Sequence, residues 1–101
     1  MNMLNSVILE GNIKSYTKND GFIDFVAASS RYSVNENNER IEVITEVPCR
    51  VYGELQKPVE RLAEIGRGVR VVGRLAGSDG SIVLVCEYIE WKLSKKTKKT
   101  V

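Results

Sequence analysis

The chain has no histidine, one tryptophan, two prolines and two cysteines among 101 residues. Without histidine or clustered cysteines the usual zinc ligand sets are missing, so no metal site is expected. No nucleophile–base pair stands out, and Glu36, Glu39, Glu42 and Glu46 read as a solvated loop and strand face. The chain is therefore expected to be a non-enzyme that needs no cofactor. No run of about 18 apolar residues exists, so no membrane-spanning helix is expected. The first residues lack a basic segment, and Glu10 breaks their apolar patch. No secretory signal is visible, and a cytoplasmic address is expected. Nothing suggests an oxidising compartment, so Cys49 and Cys86 read as small buried hydrophobes rather than a disulfide.

At 43% hydrophobic and 28% charged residues, the composition is that of one folded domain with a modest core. The net charge of +2 conceals an asymmetry. Residues 92–101 hold five lysines and no acid, whereas residues 1–91 hold ten basic and thirteen acidic groups, a net −3. The expectation is a folded body over 1–91 and a disordered basic tail over 92–101. Such a tail reads either as a phosphate-seeking arm or as a solvated terminus.

The body reads as strands. Residues 4–13, LNSVILEGNI, are aliphatic and β-branched, and Gly11 marks a bulge or bend. Residues 14–21 are polar and end in Asp20-Gly21, a turn signal. A second strand follows over 22–32, with Phe25 and Ala27 as core candidates, then a polar loop or hairpin tip over 33–40. Residues 41–54 alternate: Ile41, Val43, Val47, Cys49 and Val51 fall on one face, and Glu42, Glu46, Arg50 and Tyr52 on the other. Pro48 cannot donate to a ladder and marks an edge or bulge. A helix of about two turns then opens near Pro58 and ends at Gly66, with Val59, Leu62 and Ala63 on one stripe. Val69, Val71 and Leu75 alternate with Arg70 and Arg74 in a fourth strand. The tight hairpin GSDG at 77–80 leads into a fifth strand over 81–91. Five strands with one short helix between the third and fourth is the order of an all-β, five-stranded OB-fold Greek-key barrel. An SH3-like barrel is the competing all-β reading, and the helix position favours the OB-fold.

Four segments carry a family resemblance. Asn5-Ser6-Val7-Ile8-Leu9-Glu10-Gly11-Asn12-Ile13 is similar to N-x-V-x-L-x-G-N-L. Phe25 through Arg31, FVAASSR, looks like F-x-L-A-x-N-R, with serine for asparagine. Val51-Tyr52-Gly53-Glu54-Leu55 is similar to [VL]-[FW]-G-K-L-A, and Gly66 through Leu75 resembles K-G-x-x-V-x-V-x-G-x-L. These motifs, in this order over roughly residues 4–90, resemble the bacterial single-stranded DNA-binding proteins. From Tyr32 to Leu75 the family's spacing fits without a gap.

The resemblance implies sequence-independent binding of single-stranded DNA, by base stacking and salt-sensitive phosphate contacts, in replication, repair or recombination. It also implies a homodimer or homotetramer assembled partly through the first strand, and contacts with replication or recombination proteins. There are three departures. The long basic and aromatic hairpin that the family carries between strands four and five shrinks here to GSDG. The acidic tail tip that recruits partners is replaced by lysines, and a stacking tryptophan of the third strand falls on or near Glu46. Each departure predicts weaker binding or a specialised, phage-like relative. Small primosomal OB proteins, which shorten the same loops, are a second resemblance. They imply a protein-contact module with weak DNA affinity, and an RNA-binding OB protein is a further alternative.

Tyr52 matches the family's aromatic before G-x-L, and alternation places it on the polar face, so it is the first stacking candidate. Tyr32, at the end of the second strand, is the next. Arg50, Arg70 and Arg74 are candidates for phosphate or base-face contacts, or else solvated charges paired with Glu42 or Glu46. Arg31 and Lys14 are weaker candidates at loop edges. Trp91 reads as a cap on the core rather than a stacking platform.

Overall fold

A computed structural model describes residues 2–93. The chain runs β1 (Val7–Asn19), β2 (Phe22–Val34), β3 (Arg40–Tyr52), a 3-10 turn (Gly53–Leu55), α1 (Gln56–Leu62), β4 (Gly68–Ser78) and β5 (Ser81–Trp91). The strands close into a barrel in the order β1-β2-β3-β5-β4. Closure depends on a short parallel contact in which Cys49 pairs with Leu84 and Arg50 with Val85.

Period-2 alternation sends Ile13, Ile23, Phe25, Ala27, Cys49, Val51, Val69, Val71 and Leu84 inward, where all are buried. Full burial of each large aliphatic side chain contributes about 1.5–3 kcal/mol. Cys49 and Cys86 are buried free thiols. Val59 of α1 plugs one end of the barrel at 1% exposure. Pro58 sits in the first turn of α1, where the missing N–H removes no helical bond. Trp91 packs partly buried against the core, under the Arg67 guanidinium at 5.5 Å.

β1 is longer than expected and bends elsewhere. Residues 14–19 continue the strand, and the irregularity lies between Ile13 and Ser15 rather than at Gly11. The kink has backbone partners: Ile13 N–H donates to the Arg67 carbonyl at 2.9 Å, and the Ile13 carbonyl accepts from Gly66 N–H at 2.7 Å. These bonds tie the bend to the turn after α1. Gly11 serves a different end, since a Cβ there would lie 2.6 Å from the Ala28 carbonyl oxygen. β1 and β2 approach too closely at that point for any side chain.

β2 and β3 also run on past the barrel. β1 pairs with β2 no further than Ala28, and β5 pairs with β3 only from Cys49, just beyond Pro48. Among the described residues, 29–34 and 40–45 thus pair only with each other and form a two-stranded arm. Ile41 and Val43 keep the predicted phase but are 40% and 44% exposed, because no barrel lies beneath them. Asn35 closes the tip: its Oδ1 accepts from the backbone N–H of Asn37 at 3.0 Å and of Glu39 at 2.9 Å. At the other hairpin, Asp79 and Gly80 both have positive φ, 48° and 82°, the turn type that suits a two-residue connection.

Lys92, grouped by charge with the basic tail, belongs to the barrel. Its N–H donates to the Gly68 carbonyl at 3.0 Å, and its Nζ pairs with Glu10 at 3.2 Å. Residues 94–101 of that tail lie outside the described residues.

Candidate nucleic-acid interface

In an antiparallel ladder, directly paired residues share a face. Phe22 pairs with Tyr52, Asp24 with Arg50, Val26 with Pro48, Ala28 with Glu46, Ser30 with Ile44, Tyr32 with Glu42 and Val34 with Arg40. Tyr52, Arg50 and Tyr32 therefore lie along one outward face of β2 and β3. At one end Phe22 and Tyr52 stand 5.9 Å apart, tilted by 49°, and the Arg50 guanidinium lies 4.4 Å from the Phe22 ring centroid. At the arm end the Arg40 guanidinium lies 4.3 Å over Tyr32. Tyr52 is 48% and Tyr32 59% exposed, so each has ring surface open to a base.

Two cations at this face, Arg50 and Lys14, are paired with acids. Arg50 donates through Nε to Asp24 Oδ1 at 2.7 Å and through Nη2 to Oδ2 at 3.2 Å. A third donor, Nη1, reaches Ser78 Oγ at 3.3 Å. Asp24 first, with a smaller contribution from Tyr52, raises the Arg50 pKa above its ordinary value. Between the two aromatic ends, Lys14 projects from the kink in β1 and is ion-paired with Glu46, while Ser30 donates to Glu42. The expected partners Glu42 and Glu46 thus engage Ser30 and Lys14, and the arginines pair with other acids.

Arg74 flanks Val85 from β4 as Arg50 does from β3, and it pairs with Glu87 at 3.3 Å. Arg70 is elsewhere. Its register neighbours are Glu10 on β1 and Glu90 on β5, and it forms ion pairs with both, at 2.9 and 3.6 Å. Hydrogen bonds from Arg70 and Lys92 lower the Glu10 pKa. Arg31 pairs with Val43 and so points to the opposite side of the arm from Tyr32. Arg31 and Arg70 line a broad groove of about 990 Å³, together with Ile8 and Tyr88. The fold therefore separates the seven predicted residues. Tyr52, Arg50 and Tyr32 share the β2–β3 face with Lys14 at its margin, Arg74 lies beyond β5, and Arg31 and Arg70 belong to another surface.

Similarity to solved structures follows this architecture. A single-stranded DNA-binding protein from Thermus aquaticus superposes with a TM-score of 0.74 at 23% identity over 91% of this chain. The chain spans about half, 52%, of that protein's length. The Plasmodium falciparum single-stranded DNA-binding protein, solved with single-stranded DNA, gives 0.74 at 18% identity, covering 91% of this chain and 97% of that one. PriB from Ralstonia solanacearum gives 0.70 at 16% identity, covering 88% and 98%. The chain has the OB-fold of the single-stranded DNA-binding proteins. No family profile matches the sequence, and no curated protein matches it.

Phe22, Asp24 and Arg40 are the residues of this OB face that sequence patterns did not single out. Their signal is the register. Once Asn35–Glu39 is read as a five-residue tip, counting outward pairs Val34 with Arg40 and brings Phe22 opposite Tyr52. Both arginines then reach an aromatic ring diagonally, two residues from their direct partner. No helix among the described residues of the OB barrel is long and apolar enough to cross a membrane.

Proposed function

We propose that the chain binds single-stranded DNA without sequence preference, through the outward face of β2 and β3, and holds strands during replication, repair or recombination. The observation that carries this reading is the repeated arginine-on-aromatic arrangement, Arg50 with Phe22 and Tyr52 at one end and Arg40 with Tyr32 at the other. Base–aromatic stacking is tolerant of sequence because every base has a π-face. The arm supplies aromatic and basic residues where the short β4–β5 turn supplies none. The likeness to DNA-binding proteins of the same fold supports the reading.

Self-association belongs to the same proposal. Val7–Gly11 pair with β4 on one edge, and pairing with β2 begins only at Asn12. A backbone edge is thus left open beside Ile8 and Tyr88, which are 71% and 57% exposed. Open edges and apolar patches favour a second copy, as a homodimer or as half of a homotetramer.

The pairing of Arg50, Arg74 and Lys14 with acids favours a second reading, an OB module that chiefly contacts replication or recombination proteins. Fluorescence anisotropy with a labelled oligo-dT of about 35 nucleotides, enough for several OB sites, separates the two when run across a salt series beside duplex DNA. Salt-dependent binding to the single strand alone is expected. Binding that is absent, or equal for duplex, overturns the first reading in favour of the second.

A further inference from the structure

The β2–β3 face meets the β4–β5 hairpin in a cleft of about 320 Å³, at the lower end of the volumes that hold small ligands. Its lining combines apolar Val26, Pro48 and Val83 with polar Asp24, Arg50 and Ser78. Val26 and Pro48 are a direct cross-strand pair on the outward face. Val83 is 7% exposed although it belongs to the phase of β5 opposite the core residue Leu84. The cleft thus offers a small apolar surface beside a cluster of polar atoms.

The polar atoms are only partly committed. A guanidinium carries five N–H donors. Three of those of Arg50 are engaged, two by Asp24 and one by Ser78, and Tyr52 also hydrogen-bonds the guanidinium, which leaves one donor for a ligand. The Asp24 carboxylate has about four acceptor sites, and two receive Arg50. The cleft therefore presents a fixed acceptor beside a fixed donor. Each nucleobase carries the complement on its Watson–Crick edge: N6–H and N1 in adenine, N4–H and N3 in cytosine, N1–H and O6 in guanine, N3–H and O4 in thymine.

We propose that this cleft holds one nucleobase of a bound single strand, turned out of the stack, with Asp24 accepting from and Arg50 donating to its Watson–Crick edge. The proposal rests on the strand-binding reading and deepens it. Because all four bases carry a donor beside an acceptor, the contact is directed at the base and still indifferent to its identity. Asp24 has two tasks here: it keeps the Arg50 guanidinium against Phe22, and it offers its remaining lone pairs to the base.

The test compares oligo-dT with an oligonucleotide of N3-methylthymidine of equal length, by anisotropy at fixed salt. Methylation removes the N3–H donor and leaves phosphates and ring faces in place. The intact protein is expected to bind oligo-dT about tenfold more tightly, the scale of a carboxylate acceptor left without its partner. Ser81→Trp and Ile82→Trp, at exposed positions lining the cleft, are two separate plugs, each checked for an unchanged melting temperature. Either plug is expected to erase the difference between the two oligonucleotides. Equal binding of both by the intact protein overturns the proposal, as does discrimination that survives in a folded plugged variant. If the intact protein binds neither oligonucleotide, the strand-binding reading itself falls.

Discussion

Arg50 reaches Phe22 across the β2–β3 ladder by the same diagonal step that takes Arg40 to Tyr32. Each arginine is paired directly with the β2 residue two places beyond its aromatic, Asp24 in one case and Val34 in the other. The difference lies in that direct partner. Asp24 holds Arg50 at 2.7 Å, whereas Val34 leaves the Arg40 charge uncompensated from that side. One end of the face is a neutralised shelf and the other a cationic one.

Removing the Asp24 charge is expected to change how binding responds to salt. In Asp24→Asn, the side-chain amide oxygen still accepts from Arg50 and keeps it near Phe22, while the guanidinium charge loses its counter-charge and becomes available to a phosphate. Each added phosphate contact steepens the slope of log affinity against log salt by about 0.7 for single strands. Anisotropy titrations across a salt series measure this slope, and an identical slope in the variant would mean that Arg50 never meets a phosphate.

The two aromatic ends are expected to act on different lengths of strand. Tyr52→Ala removes a half-exposed ring and is expected to cost about 1–3 kcal/mol of binding on short and long oligonucleotides alike. Tyr32 lies ten residues further along β2 than Phe22, about 33 Å along a straight strand at about 3.3 Å per residue. Tyr32→Ala is therefore expected to weaken binding only when the oligonucleotide spans both ends. A series of oligo-dT lengths tests this, and equal losses at every length would contradict it.

Assembly is expected to depend on Ile8. Ile8→Glu places a charge on the exposed apolar surface beside the open edge of β1, and it is expected to convert the oligomer to a monomer with little change in thermal stability. Light scattering coupled to size exclusion gives both masses. A monomeric parent protein would remove the proposal of self-association.

Gly11→Ala is expected to destabilise the barrel by about 1–3 kcal/mol, the usual cost of forcing an extra carbon into packed structure. The new Cβ meets the Ala28 carbonyl at 2.6 Å, and that neighbour is backbone. Gly77→Ala is the control: among the described residues nothing beyond its chain neighbours lies within 4 Å of its Cβ, and a change within about 0.5 kcal/mol is expected. Urea unfolding of the two variants should separate them clearly, and equal stabilities would show that β1 and β2 can move apart at no cost.

Stability is also expected to fall in alkali. The hydrogen bond with Cys49, and then burial, push the Cys86 thiol above its ordinary range. An unfolded cysteine titrates near about 8.5, so above that pH the unfolded chain releases a proton that the folded chain retains. The contribution is complete below about pH 8.5 and declines above it, by at most about 1.4 kcal/mol per pH unit. Urea denaturation at about pH 7.5 and about pH 9.5 measures the decline. Cys86→Ala is expected to reduce it, and an unaltered decline in that variant would assign it to other groups.

The amino-acid sequence alone determined what is local. Alternation placed Cys49 and Val51 inward and Arg50 and Tyr52 outward, Asp79-Gly80 made the β4–β5 turn, and the stretch around Pro58 and Val59 made a short helix after the third strand. These follow from side-chain period and backbone preference, which neighbouring residues set among themselves. What lies beside what was decided by tertiary structure. Gly11 read as a bulge or bend until Ala28 was found against it, and Arg70 read as a binding candidate or a partner of Glu42 or Glu46 until closure of the barrel placed it between Glu10 and Glu90. Arg50 read as a phosphate contact or as a partner of Glu42 or Glu46 until the ladder put Asp24 opposite. Period fixes which way a side chain points from its own strand, but its neighbours come from strands distant in sequence. Only the register and the closing of the barrel choose them.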